Sequence, residues 1–194
     1  MKVALAEAPI RDVAELAQIP ISFRVERVCE IAAKPGEPSA WVLTEREIAS
    51  PYLKDYDAIA REGPTQWAKY FDLTNWGYFR AHVDSRLAGG VVIAHRTPGV
   101  TMLEERGDLA VIWDIRVAPG LRGLGVGSSL LDAAEHWARS RECTELKIET
   151  QNINVAACRL YAKSGCVLQA VNPQAYPELP DEIQLLWSKP LKAS

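Results

Sequence analysis

Between Arg116 and Leu131 an apolar strand-like run meets Pro119, then three glycines, Gly123, Gly125 and Gly127, and then an amphipathic run that starts at Leu130. A strand that turns sharply into a helix accounts for this order of residues. Glycine removes the Cβ atoms that would crowd such a turn, so successive backbone N–H groups can converge on one point outside the sheet. The helix that follows adds its unpaired first N–H groups and the positive end of its dipole, worth roughly 0.3 to 1 kcal/mol per charge contact. The expected guest is an anion, and a phosphate or pyrophosphate suits it best.

At 194 residues the chain is long enough for one domain with a full core and short for two, so a single domain over 1–194 is expected, with its motif-bearing core at about 75–190. Hydrophobic residues make up 48% and charged residues 24%, the balance of a globular protein. A net charge of -3 argues against nucleic acid as a partner, because phosphate backbones are held by excess Lys and Arg. Glu7, Arg11, Asp12 and Glu15 interrupt the first twenty residues, so no secretory signal is expected there, and no apolar run is long enough to span a membrane. Cys29, Cys143, Cys158 and Cys166 show no CxxC pair, which fits reduced thiols and a cytoplasmic setting. His82, His95 and His136 are far apart, so no metal site is expected. A homodimer is left open.

The chain reads as a mixed α/β fold. Alternating stretches at Ser22 to Ile31 and Ala40 to Thr44, separated by a loop at Lys34 to Pro38, predict two half-buried strands, and a helix is expected from about Tyr52 to Arg61. Gly77 to Arg96 predicts an antiparallel hairpin that turns at Asp84-Ser85-Arg86, and a third strand runs from Leu109 to Val117. Leu130, Leu131, Ala134, Trp137 and Ala138 share a helical face. A strand at Glu145 to Thr150, a helix at Asn154 to Ser164 ended by Gly165, and strands at Val167 to Val171 and Ile183 to Ser188 complete the pattern.

The glycines do not match G-x-G-x-x-G in register, and no Lys follows them as a P-loop requires. What they do form is Arg122-x-x-Gly125-x-Gly127, preceded by Val117-x-Pro119 and followed by Leu130-Leu131. This resembles the acetyl-coenzyme A signature of the GNAT superfamily of N-acetyltransferases. A second segment, Asn154-x-x-Ala157-x-x-x-Tyr161-x-x-x-Gly165, continues the resemblance in the right order along the chain. It implies a GNAT-like acyl-CoA N-acyltransferase fold, a central mixed and mostly antiparallel sheet flanked by helices. It also implies acetyl-CoA as cosubstrate. The backbone N–H groups of Arg122, Gly123, Leu124, Gly125, Val126, Gly127 and Ser128 would hold the pyrophosphate, and the backbone at Ile115, Arg116 and Val117 would pair with the pantetheine arm. Arg122 could add its guanidinium to a phosphate.

Direct acetyl transfer needs a neutral amine, a stabilised oxyanion and a proton for the departing thiolate. Tyr161 is the candidate acid, and Asn154, seven residues earlier and read as lying on the same helical face, is the candidate to hold the pantetheine or a water. A packing tyrosine is the alternative for Tyr161. Asp114 is the candidate base or amine ligand and Glu149 the alternative, either of which could be a solvated strand charge. Glu178, Asp181 and Glu182 in a loop beside Tyr176, with Trp76 and Tyr78 at the start of the hairpin, suggest an acidic, aromatic-lined pocket for a cationic amine; a solvated loop is the plain alternative. Trp113 to Val117, Glu149 to Asn154 and Ile183-Gln184-Leu185 are similar to streptothricin acetyltransferases, which implies a small polycationic acceptor and a part in antibiotic resistance. A protein or peptide acetyltransferase and a noncatalytic acyl-CoA sensor remain the alternatives.

Overall fold

The structure is a computed structural model that describes residues 2–59 and 63–191. In chain order the strands are β1 (Val3–Glu7), β2 (Phe23–Lys34), β3 (Glu37–Lys54), β4 (Gly77–Val83), β5 (Arg86–His95), β6 (Leu109–Val117), β7 (Glu145–Gln151), β8 (Val167–Asn172) and β9 (Gln184–Pro190). The α-helices are α1 (Val126–Arg139) and α2 (Val155–Lys163). These elements form two compact units, one from Met1–Ser22, Asp55–Lys147 and Pro190–Ser194, the other from Phe23–Lys54 and Ile148–Lys189.

In the first unit, β1, β4, β5 and β6 lie side by side in that order, each antiparallel to its neighbour. The hairpin expected at Gly77 to Arg96 is present as β4 and β5, and the strand expected before the glycine turn is β6. β5 is buried along nearly its whole length, which its Gly-Gly-Val-Val-Ile-Ala run allows. On β6 a one-residue bulge falls at Trp113, skipped between the pairs Val92↔Asp114 and Ile93↔Ile112. The bulge resets the alternation of faces, and beyond it Asp114 and Arg116, two residues apart, share one face. Leu130, Leu131, Ala134, Trp137 and Ala138 of α1 are buried, as the helical pattern predicts. β1 and the 3-10 segment Ile10–Gln18, which buries Val13 and Leu16, were not among the elements expected from the sequence.

In the second unit, β2 and β3 form a long antiparallel hairpin whose turn holds Gly36 at φ +78. The two expected strands are therefore present and the loop between them is tighter than expected. The helix expected from Tyr52 does not form where it is described, because β3 runs on to Lys54, with Val25↔Tyr52 and Phe23↔Lys54 paired, and residues 55–59 make bends and turns. The end of that expected helix, Arg61, lies outside the described residues. Cross-strand pairing overrides the local helical pattern here. Pro51 sits where the register shifts between Val25 and Arg27, so its missing N–H removes no ladder bond. β7, β9 and β8 are neighbours in that order, with β8 antiparallel to β9, and α2 precedes β8. All four cysteines are buried, and none is joined in a disulfide.

Gly89 faces Val117 across β5 and β6, where an added Cβ would lie 2.6 Å from the Arg116 carbonyl oxygen and 3.0 Å from a Leu130 methyl. Gly89→Ala should lower unfolding free energy by about 1 to 3 kcal/mol in a urea titration, since backbone cannot move aside. A wild-type midpoint would contradict this close approach.

Candidate active site

The glycine turn starts with a single 3-10 turn at Pro119–Leu121, and Gly123 and Gly125 then adopt φ of +78 and +88, the left-handed region open to glycine at no steric cost. Gly125 is the N-cap of α1 and has no side chain to cap it; the first helical bond runs from Ser129 N to the Gly125 carbonyl at 3.1 Å. The N–H groups of Val126, Gly127 and Ser128 consequently have no intrahelical acceptor. Gly127 belongs to the first turn of the helix rather than to the loop, so what it contributes is an unobstructed N–H. Arg122 braces the turn: its Nε donates to the Val117 carbonyl at 3.0 Å, and its Nη2 to Ser22 and Pro20 at 2.9 and 3.2 Å. Partial burial lowers its pKa, yet a guanidinium remains charged. Two of its nitrogens are thus committed to shaping the turn.

The strand before the turn carries a buried ionic cluster. Arg116, 2% exposed, donates from Nε to both oxygens of Asp114 at 3.0 Å and from Nη2 to Asp114 at 2.9 Å. Its far edge grips Asp57 in a bidentate pair at 2.7 and 2.9 Å, and Nη1 also reaches the Ile19 carbonyl at 3.1 Å. Burial pushes the Asp114 carboxyl up against the pull of Arg116. For Arg116, burial alone would lower the pKa, but the two carboxylates outweigh it and raise it. Asp114 is thereby a counter-ion, and any contact of Arg116 with a ligand is left to its backbone.

Trp76 and Tyr78, expected to help line an acidic, aromatic pocket, are buried core residues of the first unit. Trp76 stacks in a cluster with Trp67, Phe71 and Trp113, 5.3 Å from Trp113 between ring centres, and its Nε1 donates to Thr97 at 2.8 Å. One edge of Trp76 borders an open, polar cavity of about 390 Å³ shared with His95, Arg96 and Arg141. Tyr78 is 1% exposed, its hydroxyl has no hydrogen-bond partner among the described residues, and burial raises its pKa to about 12. Tyr78 belongs to a buried cluster that includes Val13, Leu16, Ile19 and Val92.

In the second unit Asn154 is the N-cap of α2, its Oδ1 accepting from Ala157 N at 3.2 Å. It stands before the helix, which corrects the expectation that it shares a helical face with Tyr161. Tyr161 is 3% exposed and packs 6.1 Å from Trp187. Glu149 and Tyr176 meet, as one pocket would require: the Tyr176 hydroxyl donates to Glu149 Oε1 at 2.5 Å. Gln184 Nε2 donates to Glu149 Oε2 at 2.8 Å, and Gln151 Nε2 to the Tyr176 hydroxyl at 2.9 Å. Burial first and the Glu149 charge second push the Tyr176 pKa up, so the phenol keeps its proton. Glu178 is exposed and apart from this network, whereas Glu182 is buried and paired with Lys54. Sequence reading gave no role to Asp57, nor to Gln151 and Gln184, although both glutamines fall in the stretches that carry the resemblance. The spacing of Gln151 from Glu149, two positions along one strand, was the available signal for one of them.

Among the described residues no group of three or more His, Cys, Asp or Glu is arranged to hold a metal, and no helix is long and apolar enough to cross a membrane. Residues 41–166 match the model of the acetyltransferase (GNAT) family. The chain is 30% identical to streptothricin acetyltransferase A of Bacillus subtilis (strain 168) over 153 residues, 78% of this chain and 80% of that one. It is 33% identical to a streptothricin acetyltransferase of Escherichia coli over 141 residues, 71% of this chain and 70% of that one. Two crystal structures share its fold. Nourseothricin acetyltransferase superimposes with a TM-score of 0.73 at 24% identity, covering 99% of this chain and 100% of that one. A Bacillus anthracis str. Ames protein in complex with acetyl coenzyme A does so with a TM-score of 0.76 at 24% identity, covering 97% and 99%.

Replacing Asp114 by Leu strips Arg116 of its buried partner, and Asp57, whose side chain is 30% exposed, compensates only in part. The variant should lose about 3 to 5 kcal/mol of unfolding free energy in urea, the cost of an uncompensated buried charge. A loss under 1 kcal/mol would mean that the cluster is not holding β6.

Proposed function

The chain belongs to the GNAT family of acetyltransferases, and we propose that it moves the acetyl group of acetyl-CoA directly onto a primary amine of a small cationic acceptor within a ternary complex. The observation that carries the donor half is the turn from Arg122 to Ser128, with two left-handed glycines, unpaired N–H groups at the start of α1 and a braced arginine beside them. These features suit a pyrophosphate, and a structural neighbour that binds acetyl coenzyme A supports the same donor. In this reading Gly123, Leu124, Gly125, Val126, Gly127 and Ser128 contribute backbone N–H groups, Arg122 contributes charge, and the backbone of Ile115, Arg116 and Val117 meets the pantetheine arm.

The neutral amine attacks the thioester carbonyl carbon and gives up a proton to Glu149, directly or through water, the tetrahedral oxyanion collapses, and the C–S bond breaks as the thiolate leaves. We assign the proton for that thiolate to the Tyr161 hydroxyl and the support of the pantetheine to Asn154, whose Oδ1 is engaged in capping α2 and whose amide N–H groups remain as donors. For the amine itself the geometry favours Glu149 with Tyr176 over Asp114, because Asp114 is committed to Arg116. The relatives that acetylate streptothricin support a small polycationic acceptor, and with it a part in antibiotic resistance.

Thiol release from acetyl-CoA, followed against streptothricin, aminoglycosides, polyamines and peptides, tests this reading. Turnover with small polycationic amines and not with peptides is expected. Acetyl-CoA binding without turnover of any amine would instead make the protein a sensor. Tyr161→Phe should lower kcat by about 10² to 10⁴, the usual contribution of a general acid, whereas a change within about threefold would remove Tyr161 from that role.

A further inference from the structure

The second unit contains one partly buried carboxylate whose environment differs from that of the other acidic groups near the chemistry. Glu149 accepts from Tyr176 on one oxygen and from Gln184 on the other, both neutral donors, and among the described residues no Lys, Arg or His forms an ion pair with it. By contrast Asp114 has Arg116, and Glu182 has Lys54. The network is also directional. Gln151 donates to the Tyr176 oxygen, so the single phenolic proton has only Glu149 to go to. Each carboxylate oxygen accepts one bond and keeps a further lone-pair direction.

We propose that Gln151 and Gln184 are positioning residues that, with Tyr176, hold Glu149 as a preset and unneutralised anchor for the alkylammonium group of the acceptor. The inference rests on the amine-acetyltransferase reading and deepens it. An incoming ammonium N–H then supplies the missing cation, forming a charge-assisted hydrogen bond to a carboxylate that does not need to reorganise. The groups facing the network are Tyr176, Glu182 and, through Glu182, Lys54; the Glu182 charge acts on Tyr176 in the same direction as Glu149. The anchor selects for cationic amines, since a neutral ligand would leave Glu149 without a counter-ion.

The test compares Gln184→Leu, which removes the donor, with Gln184→Lys, which keeps a donor and adds a cation of its own. Streptothricin is the acceptor probe, with thiol release giving KM and kcat and calorimetry giving the binding constant. Both variants should raise the acceptor KM at least about tenfold, the weight of a hydrogen bond to a charged group, while the acetyl-CoA KM stays near wild type. Gln151→Leu should follow Gln184→Leu, acting through Tyr176. If the role of Gln184 were only structural, Gln184→Lys would bind streptothricin like the wild type, and that result overturns the proposal. So does a parallel rise of the acetyl-CoA KM in all three variants. A wild-type protein that binds acetyl-CoA but neither binds nor acetylates any cationic amine would instead overturn the acetyltransferase reading beneath it.

Discussion

The buried guanidinium of Arg116 is the contact on which the first unit's site depends. One side chain joins its own strand through Asp114, the segment 55–59 through Asp57 and the end of the N-terminal 3-10 segment through the Ile19 carbonyl. Every one of these bonds fixes the last residues of β6, and β6 delivers the chain into the glycine turn. A planar guanidinium suits this task, because its fork can serve two carboxylates on different edges without losing a donor to water. The ion cluster is costly to bury and would be a poor source of net stability by itself. Its value lies in geometry: it fixes the direction in which the turn's N–H groups point.

Two carboxylates on neighbouring segments of the sequence, Asp114 and Glu149, illustrate how surroundings separate residue types that look interchangeable in a sequence. Asp114 is enclosed with a guanidinium and becomes structural. Glu149 is held by a phenol and an amide, both neutral, and is left without a cationic partner among the described residues. The difference comes from the partners each one meets, Arg116 two residues along the same strand with the distant Asp57 in one case, the distant Tyr176 and Gln184 in the other.

That distance also explains what was legible beforehand. The strand, turn and helix around Gly123 and Gly125 were readable because glycine φ values, an N-terminal helix dipole and apolar periodicity are all local properties, and the same holds for the β4 and β5 hairpin. The helix expected at Tyr52 was not, because β3 is stabilised by pairing with β2 and its own periodicity is weak. Asn154 fell one residue outside α2, enough to turn a face residue into a cap. Tyr78 could not be known as core without knowing that Val13, Leu16 and Ile19 join its cluster, and Asp57 lies in a stretch read as helix. The polar cluster around Glu149 was half legible: Glu149 and Tyr176 stood out by type, while the two glutamines that organise them did not.

The account stands on the claim that the backbone from Gly123 to Ser128 receives the donor's pyrophosphate. Backbone amide NMR of the full chain during titration with acetyl-CoA tests this directly, because each N–H reports on its own hydrogen bond. The amides of Gly123, Leu124, Gly125, Val126, Gly127 and Ser128 should show the largest shifts and saturate together with binding. Saturable binding that leaves these six amides in place while others move would contradict it.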